Sequence, residues 1–171
     1  MANTYTLIRS VAVGSGGAAS IQFSSIPQTY TDLLIKLSSR TATGGATDVI
    51  AEFNADVTAA NYSMKQIQGN GASASATGGG SSSQALTSSG STDTASTFAN
   101  GEMCIPNYAG STAKSSSNDS VTENNATTAY TTLRASLYAG TAAITAIKFT
   151  HSSGANFAQY SSASLYGIKN S

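Results

Sequence analysis

Side chains able to do chemistry are few in this 171-residue chain. His151 is its one histidine, so a Ser-His-Asp triad has to be built on it, and Asp119 and Glu123 are the nearest acids before it in sequence. No GxSxG elbow presents a serine nucleophile. Without such partners, His151 reads as the residue that ends a strand at the rim of a sheet. Asp48, Glu52 and Asp56 recur four residues apart, a spacing that would cluster three carboxylates on a helix. The residues between them read as strand, and Asn54 and Asp56 then fall in a turn. There they could help ligate Ca²⁺ together with backbone carbonyls, but the regular spacing of an EF-hand is missing and a solvated turn is the expected reading. Cys104 stands alone, which rules out an intrachain disulfide framework and a CxxC motif. Asn61-Tyr62-Ser63, Asn118-Asp119-Ser120 and Asn125-Ala126-Thr127 match the glycosylation sequon. The glycine clusters Gly14-Ser15-Gly16-Gly17 and Gly78-Gly79-Gly80 fit neither GxGxxG nor GxxxxGK[ST], so no phosphate cradle is indicated. Eight tyrosines and no tryptophan fit residues that straddle core and rim better than a sugar-stacking platform. No catalytic, cofactor-binding or metal-ligating residue is assigned, and no enzymatic activity is expected.

Composition narrows the classes further. Charged residues make up 9% of the chain, against roughly 25% in ordinary soluble domains, and eight basic residues balance eight acidic ones. They are scattered singly. No basic block is available to neutralise phosphates, so nucleic acid and anionic membrane surfaces are not expected partners. No apolar stretch approaches the ~20 residues that span a bilayer. The opening MANTYTLIRS lacks the basic start and apolar run of a signal peptide. A weakly charged, Ser/Thr/Asn/Gly-rich exterior is common outside cells. Without an export signal, it suggests a virion component made in a cytoplasm and released by lysis.

The elements that must position these residues read as strands. Tyr5–Val13, Ile21–Phe23, Leu33–Arg40, Val49–Phe53, Tyr62–Gln68, Phe98–Ile105, Tyr130–Tyr138, Ala143–His151 and Phe157–Ile168 are short runs of strand character. Turn signals separate them: Pro27, Gly44-Gly45, Asn54, Gly69-Asn70-Gly71, Pro106-Asn107, Gly140 and Gly154. Thr31-Asp32 could cap a helix over Leu33, Leu34 and Leu37, but Ile35 lies off that face and strand is preferred. The expected fold is an all-β antiparallel sandwich of jelly-roll type, one domain over residues 1–171. Residues 69–97 and 107–128 are expected to be two long polar loops, with Leu86 and Asp93 anchoring the first. Leu33, Ile35, Leu37, Phe53, Leu133, Leu137, Ile147 and Phe149 are the expected core.

MANTYTLI, IQFSSIPQTYTDLLIKLSSRT, FNADVTAANYSMKQIQGNG and SASLYGIKNS together resemble a family of small structural proteins of tailed-bacteriophage virions. The resemblance covers residues 1–71 and roughly 129–171; SSIPQTYTDLLI and SLYGIKNS carry most of it. It implies a β-sandwich protein of the particle and brings no active-site residues. The expected role is a capsid decoration (cement) protein that clamps the head shell, with the major capsid protein or other virion proteins as partners. A tail or head-fibre component touching a host glycan or surface protein is the alternative. Few charges guard the edge strands, so a homo-oligomer is expected, with a trimer favoured by analogy.

Overall fold

A computed structural model describes residues 4–80, 84–123 and 129–169. Twelve strands run through the described residues: β1 (Thr4–Ala12), β2 (Ile21–Phe23), β3 (Asp32–Ser39), β4 (Thr47–Phe53), β5 (Tyr62–Gly69), β6 (Ala74–Gly80), β7 (Gln84–Ser88), β8 (Ala99–Pro106), β9 (Lys114–Glu123), β10 (Ala129–Tyr138), β11 (Ile147–His151) and β12 (Ser162–Lys169). One 3-10 turn, Ala59–Asn61, precedes β5. The strands form an eight-stranded sheet, ordered β1-β12-β3-β8-β9-β10-β5-β6, and a four-stranded sheet, ordered β2-β11-β4-β7. Every paired strand in both sheets is antiparallel. The chain is an all-β antiparallel sandwich.

Alternation explains where the core sits. Leu33, Ile35 and Leu37 of β3 point inward with Met103 and Ile105 of β8 and Ala163 and Leu165 of β12. Facing them are Ile21 and Phe23, Val49, Ala51 and Phe53, Leu86, and Ile147 and Phe149 from the four-stranded sheet. Phe23 meets Phe149 edge-on, with ring centroids 6.5 Å apart. In β11, Ile147, Phe149 and His151 share the buried face while Lys148 and Thr150 point away, as the alternation requires.

Two of the expected core residues lie elsewhere. Leu133 and Leu137 are 56% and 45% exposed, because β10 turns Thr132 and Arg134 inward instead. A strand repeats every two residues, so an inward Arg134 forces both leucines outward. Arg134 is accepted inside because the carboxylate of Asp48, Gln66 Oε1 and the Leu86 carbonyl all receive its N–H groups.

The two polar segments are also corrected. Residues 69–97 contain β6 and β7, and residues 107–128 contain β9. Their side chains bury little apolar area, so backbone pairing orders them. The β5–β6 hairpin closes on Asn70, whose Oδ1 accepts from the backbone N–H of Ala72 and Ser73, while Gly71 adopts the left-handed φ of 83°. Strand β9 buries Lys114, Ser116, Asn118, Ser120 and Thr122, an inner face with no hydrophobic residue. Within residues 69–97, Leu86 enters the core and Asp93 Oδ2 accepts from Gly90 N–H at 2.6 Å. Strands on either side of the segment, β5 and β8, belong to the same sheet.

Chemical denaturation checks this register. Ile35→Ala and Phe149→Ala should each cost about 2–5 kcal/mol, whereas Leu133→Ala should stay within about 0.5 kcal/mol of the parent. Equal losses at all three positions would put Leu133 back in the core.

Candidate functional site

His151 lies at the end of β11 with 3% of its surface exposed. Its ring centroid is 4.0 Å from that of Phe157. The Ala155 carbonyl, 2.9 Å from Nδ1, can only accept, so Nδ1 carries the proton. Nε2 then accepts from the Ser88 hydroxyl at 3.0 Å. This is the arrangement of a serine and its base, with a carbonyl orienting the imidazole where a triad uses a carboxylate. Ser88 is fully buried, however, and no substrate reaches its oxygen. Asp119 and Glu123 lie on β9 in the other sheet, both exposed. The pair ties the end of β11 to β7, which the sequence showed only as a histidine at a strand end.

The three spaced acids are separated by their own partners. Asp48 binds Arg134, and Glu52 Oε2 lies 2.7 Å from Lys148 Nζ. Asp56 Oδ1 accepts from Thr58 N–H at 2.8 Å, and its Oδ2 accepts from Asn61 Nδ2 at 2.7 Å and the Tyr138 hydroxyl at 3.1 Å. These donors, the Asn61 amide first, hold the Asp56 carboxyl down at about 2. Asn54 is equally engaged, with Nδ2 donating to Ala143 O and Oδ1 accepting from Thr145 N–H. Among the described residues no cluster of three His, Cys, Asp or Glu side chains could hold a metal ion.

Remaining sequence candidates resolve one by one. Burial raises the Cys104 thiol above its ordinary value, and it sits half-buried on the outer face of β8. Asn118 is buried in β9, Asn61 donates to Asp56, and the third sequon lies outside the described residues. Tyr62, Tyr108 and Tyr138 are buried with bonded hydroxyls: Tyr62 donates to Asp56 O at 2.8 Å, Tyr108 to Pro27 O and Tyr138 to Asp56. Tyr5 and Tyr160 are exposed.

Two features escaped the sequence. Arg40, at the end of β3 and 9% exposed, donates to the carbonyls of Ser91, Asp93, Thr94 and Thr97 at 2.9–3.0 Å. One guanidinium thereby organises the stretch before β8. The other is a patch of exposed apolar side chains on the outer face of β5, β10 and β9, bordered by Lys65 and Asp119. Ile67 sits beside Leu133 across the β5–β10 pairing and beside Ala76 across β5–β6. Ile67, Val121, Leu133 and Leu137 are 45–60% exposed. Ile67 and Leu133, with Lys65, Gly78 and Ala135, line a groove of about 600 Å³. A Cβ at position 78 would lie 2.5 Å from Lys65 Cδ, so glycine there lets the lysine lie flat. Leu133 and Leu137, expected inside, belong to this patch; alternation would have shown the strip once Arg134 was turned inward.

Comparison with protein-family models, curated proteins and solved structures finds no match for this chain.

Two titrations follow. Burial lowers the His151 imidazole from its ordinary 6.5, with the Ala155 bond working weakly against it. A depressed folded pKa contributes stability above the unfolded value, and that contribution is lost as pH falls below it. Melting temperature should therefore drop as pH falls below 6.5, and His151→Gln should flatten that drop. An unchanged slope in the variant would mean His151 is protonated equally in both states. For Asp56 the same sign applies lower down: its contribution holds above 3.8 and disappears toward 2, so NMR should place its carboxyl titration near 2.

Proposed function

We propose that this chain is a structural protein of a bacteriophage particle, acting as a decoration protein on the head shell. The observation that carries the reading is the uncovered apolar strip Ile67–Leu133–Leu137–Val121 beside the edge strand β6. Contiguous exposed apolar side chains mark interaction surfaces. Strand β6 reads ASATGGG, with no charge and no proline to guard its unpaired backbone groups. A flat apolar sheet with an open edge suits a protein that lies against a lattice and joins its neighbours there.

Strand order adds support. Without the β5–β6 and β9–β10 hairpins, the sheets reduce to β1-β12-β3-β8 and β2-β11-β4-β7. We read this as a jelly roll, an architecture that recurs in viral capsid proteins. That likeness is one of fold and supplies no function by itself. The near absence of net charge fits dense packing of many copies, because like-charge repulsion between neighbours stays small.

In this reading the outer face of β9, β10, β5 and β6 seats on the major capsid protein or on a second copy of the chain, with a trimer as the favoured assembly. The variant Ile67→Lys/Leu133→Lys tests it. Both positions are exposed, so stability should stay within about 1 kcal/mol of the parent. Sedimentation of the parent chain should give an oligomer and that of the variant a monomer, and copy counts by imaging should fall from hundreds per particle to near zero. A parent chain that is monomeric and found only at the tail would refute the proposal.

A further inference from the structure

Strands β9, β10 and β5 continue past edge strand β7, and a polar cleft of about 230 Å³ opens there. Thr47, Asp48, Gln68, Thr87, Thr122 and Tyr130 line it, over a floor of Gln66 and Arg134. Gln66 and Gln68 alternate along β5 with Lys65 and Ile67. The cleft and the apolar strip therefore occupy opposite faces of the same strands.

Its polar atoms are oriented by a fixed hydrogen-bond chain. Arg134 can only donate: to the carboxylate of Asp48 and, through Nε, to Gln66 Oε1 at 2.7 Å. With its oxygen held by Arg134, Gln66 must donate from Nε2, and it does so to Gln68 Oε1 at 3.2 Å. Gln68 is thereby left with its NH₂ group turned away from the chain. At the other end Asp48, 29% exposed against 2% for Arg134, has given one oxygen to the guanidinium and brings the second to the cleft. A donor and an acceptor thus face the same space, with Thr122 beside them.

Asp48 and Arg134 are the only charged residues lining the cleft and neutralise each other, so it holds no unopposed charge for an ionic ligand. What fits is a compact neutral molecule dense in hydroxyls that both donate and accept, with one apolar face for the Tyr130 ring.

We propose that this cleft binds one neutral sugar ring, a hexopyranose unit of a surface glycan. Gln68 and Asp48 take hydroxyls at opposite ends of the ring, and Tyr130 covers the C–H face. The inference does not depend on where the chain sits on a particle.

Titrating the full chain with glucose, galactose, mannose and N-acetylglucosamine tests it, with sialic acid as the charged control. At least one neutral sugar should give saturable NMR shifts at the Gln68 side-chain amide and the Tyr130 ring, at millimolar concentration. Gln68→Ala and Tyr130→Ala should each weaken that binding about tenfold or more while leaving the melting temperature near that of the parent. Saturation by none of the neutral sugars, or binding indifferent to both substitutions, overturns the proposal, as does preference for sialic acid. The Ile67→Lys/Leu133→Lys variant separates the two readings: it should lose attachment to particles and keep its sugar affinity.

Discussion

The guanidinium of Arg134 must be satisfied inside the protein, and that requirement sets how the wide half of the sandwich is built. An unpaired buried charge costs several kcal/mol, so Arg134 can enter only where acceptors already stand in place. Three strands supply them: β5 through Gln66, β7 through the Leu86 carbonyl and β4 through Asp48. The bond set joins the eight-stranded sheet to the four-stranded one where apolar packing thins out. It also fixes the register of β10 and, through pairing, the faces of β9 and β5. Once Arg134 faces in, Leu133 and Leu137 face out, next to Ile67. The apolar strip and the polar cleft are thus two consequences of one buried cation.

A second guanidinium does comparable work at the other long polar segment. The side chains of residues 89–97 cannot drive burial, because Ser, Gly, Thr and Ala remove too little apolar surface from water to offset ordering costs of ~1–2 kcal/mol per residue. Arg40 replaces that missing drive by gathering four carbonyls of the segment around one charged group. Charge-assisted hydrogen bonds are roughly twice as strong as neutral ones, and each fixes a backbone position. Asp93 closes the turn at Gly90 from within. Order here comes from a few directional bonds, and the hydrophobic core takes only Ala85 and Leu86, just before it.

This division marks what could be read from residue pattern. Strands β3, β4 and β11 carry large apolar residues at every second position, so their existence and their inward faces follow from the alternation alone. Strand β10 also alternates, but both of its faces carry candidates: Leu133 and Leu137 on one, Thr132 and Arg134 on the other. Hydrophobicity favours the leucines, and only the tertiary acceptors around Arg134 reverse the choice. Strands β6 and β9 have no apolar period, since KSSSNDSVTE turns Lys, Ser, Asn, Ser and Thr inward. Asn118 donates to Ser136 there, and Lys114 reaches the carbonyls of Thr112 and Thr141. The Gly69-Asn70-Gly71 turn was legible because its chemistry is local, while the strand after it pairs through the backbone and leaves no mark in residue type.

The same economy of polar groups explains why the reactive residues do not assemble into a reaction centre. In a chain with so few charges, His151, Asp56 and Arg40 are each committed to holding a strand end or a turn. Ser88 and His151 meet at hydrogen-bonding distance, yet the contact is sealed between β7 and β11 and works as a clasp. Asp48 differs, because its carboxylate serves Arg134 while remaining 29% exposed. Structural constraint and solvent access meet there, as they do at Glu52 in its pair with Lys148. The polar cleft opens where β4, β5 and β10 converge. The outer face of β5 and β10 turns Ile67, Leu133 and Leu137 to solvent beside Lys65. An inward cation and outward leucines are the two sides of one alternation.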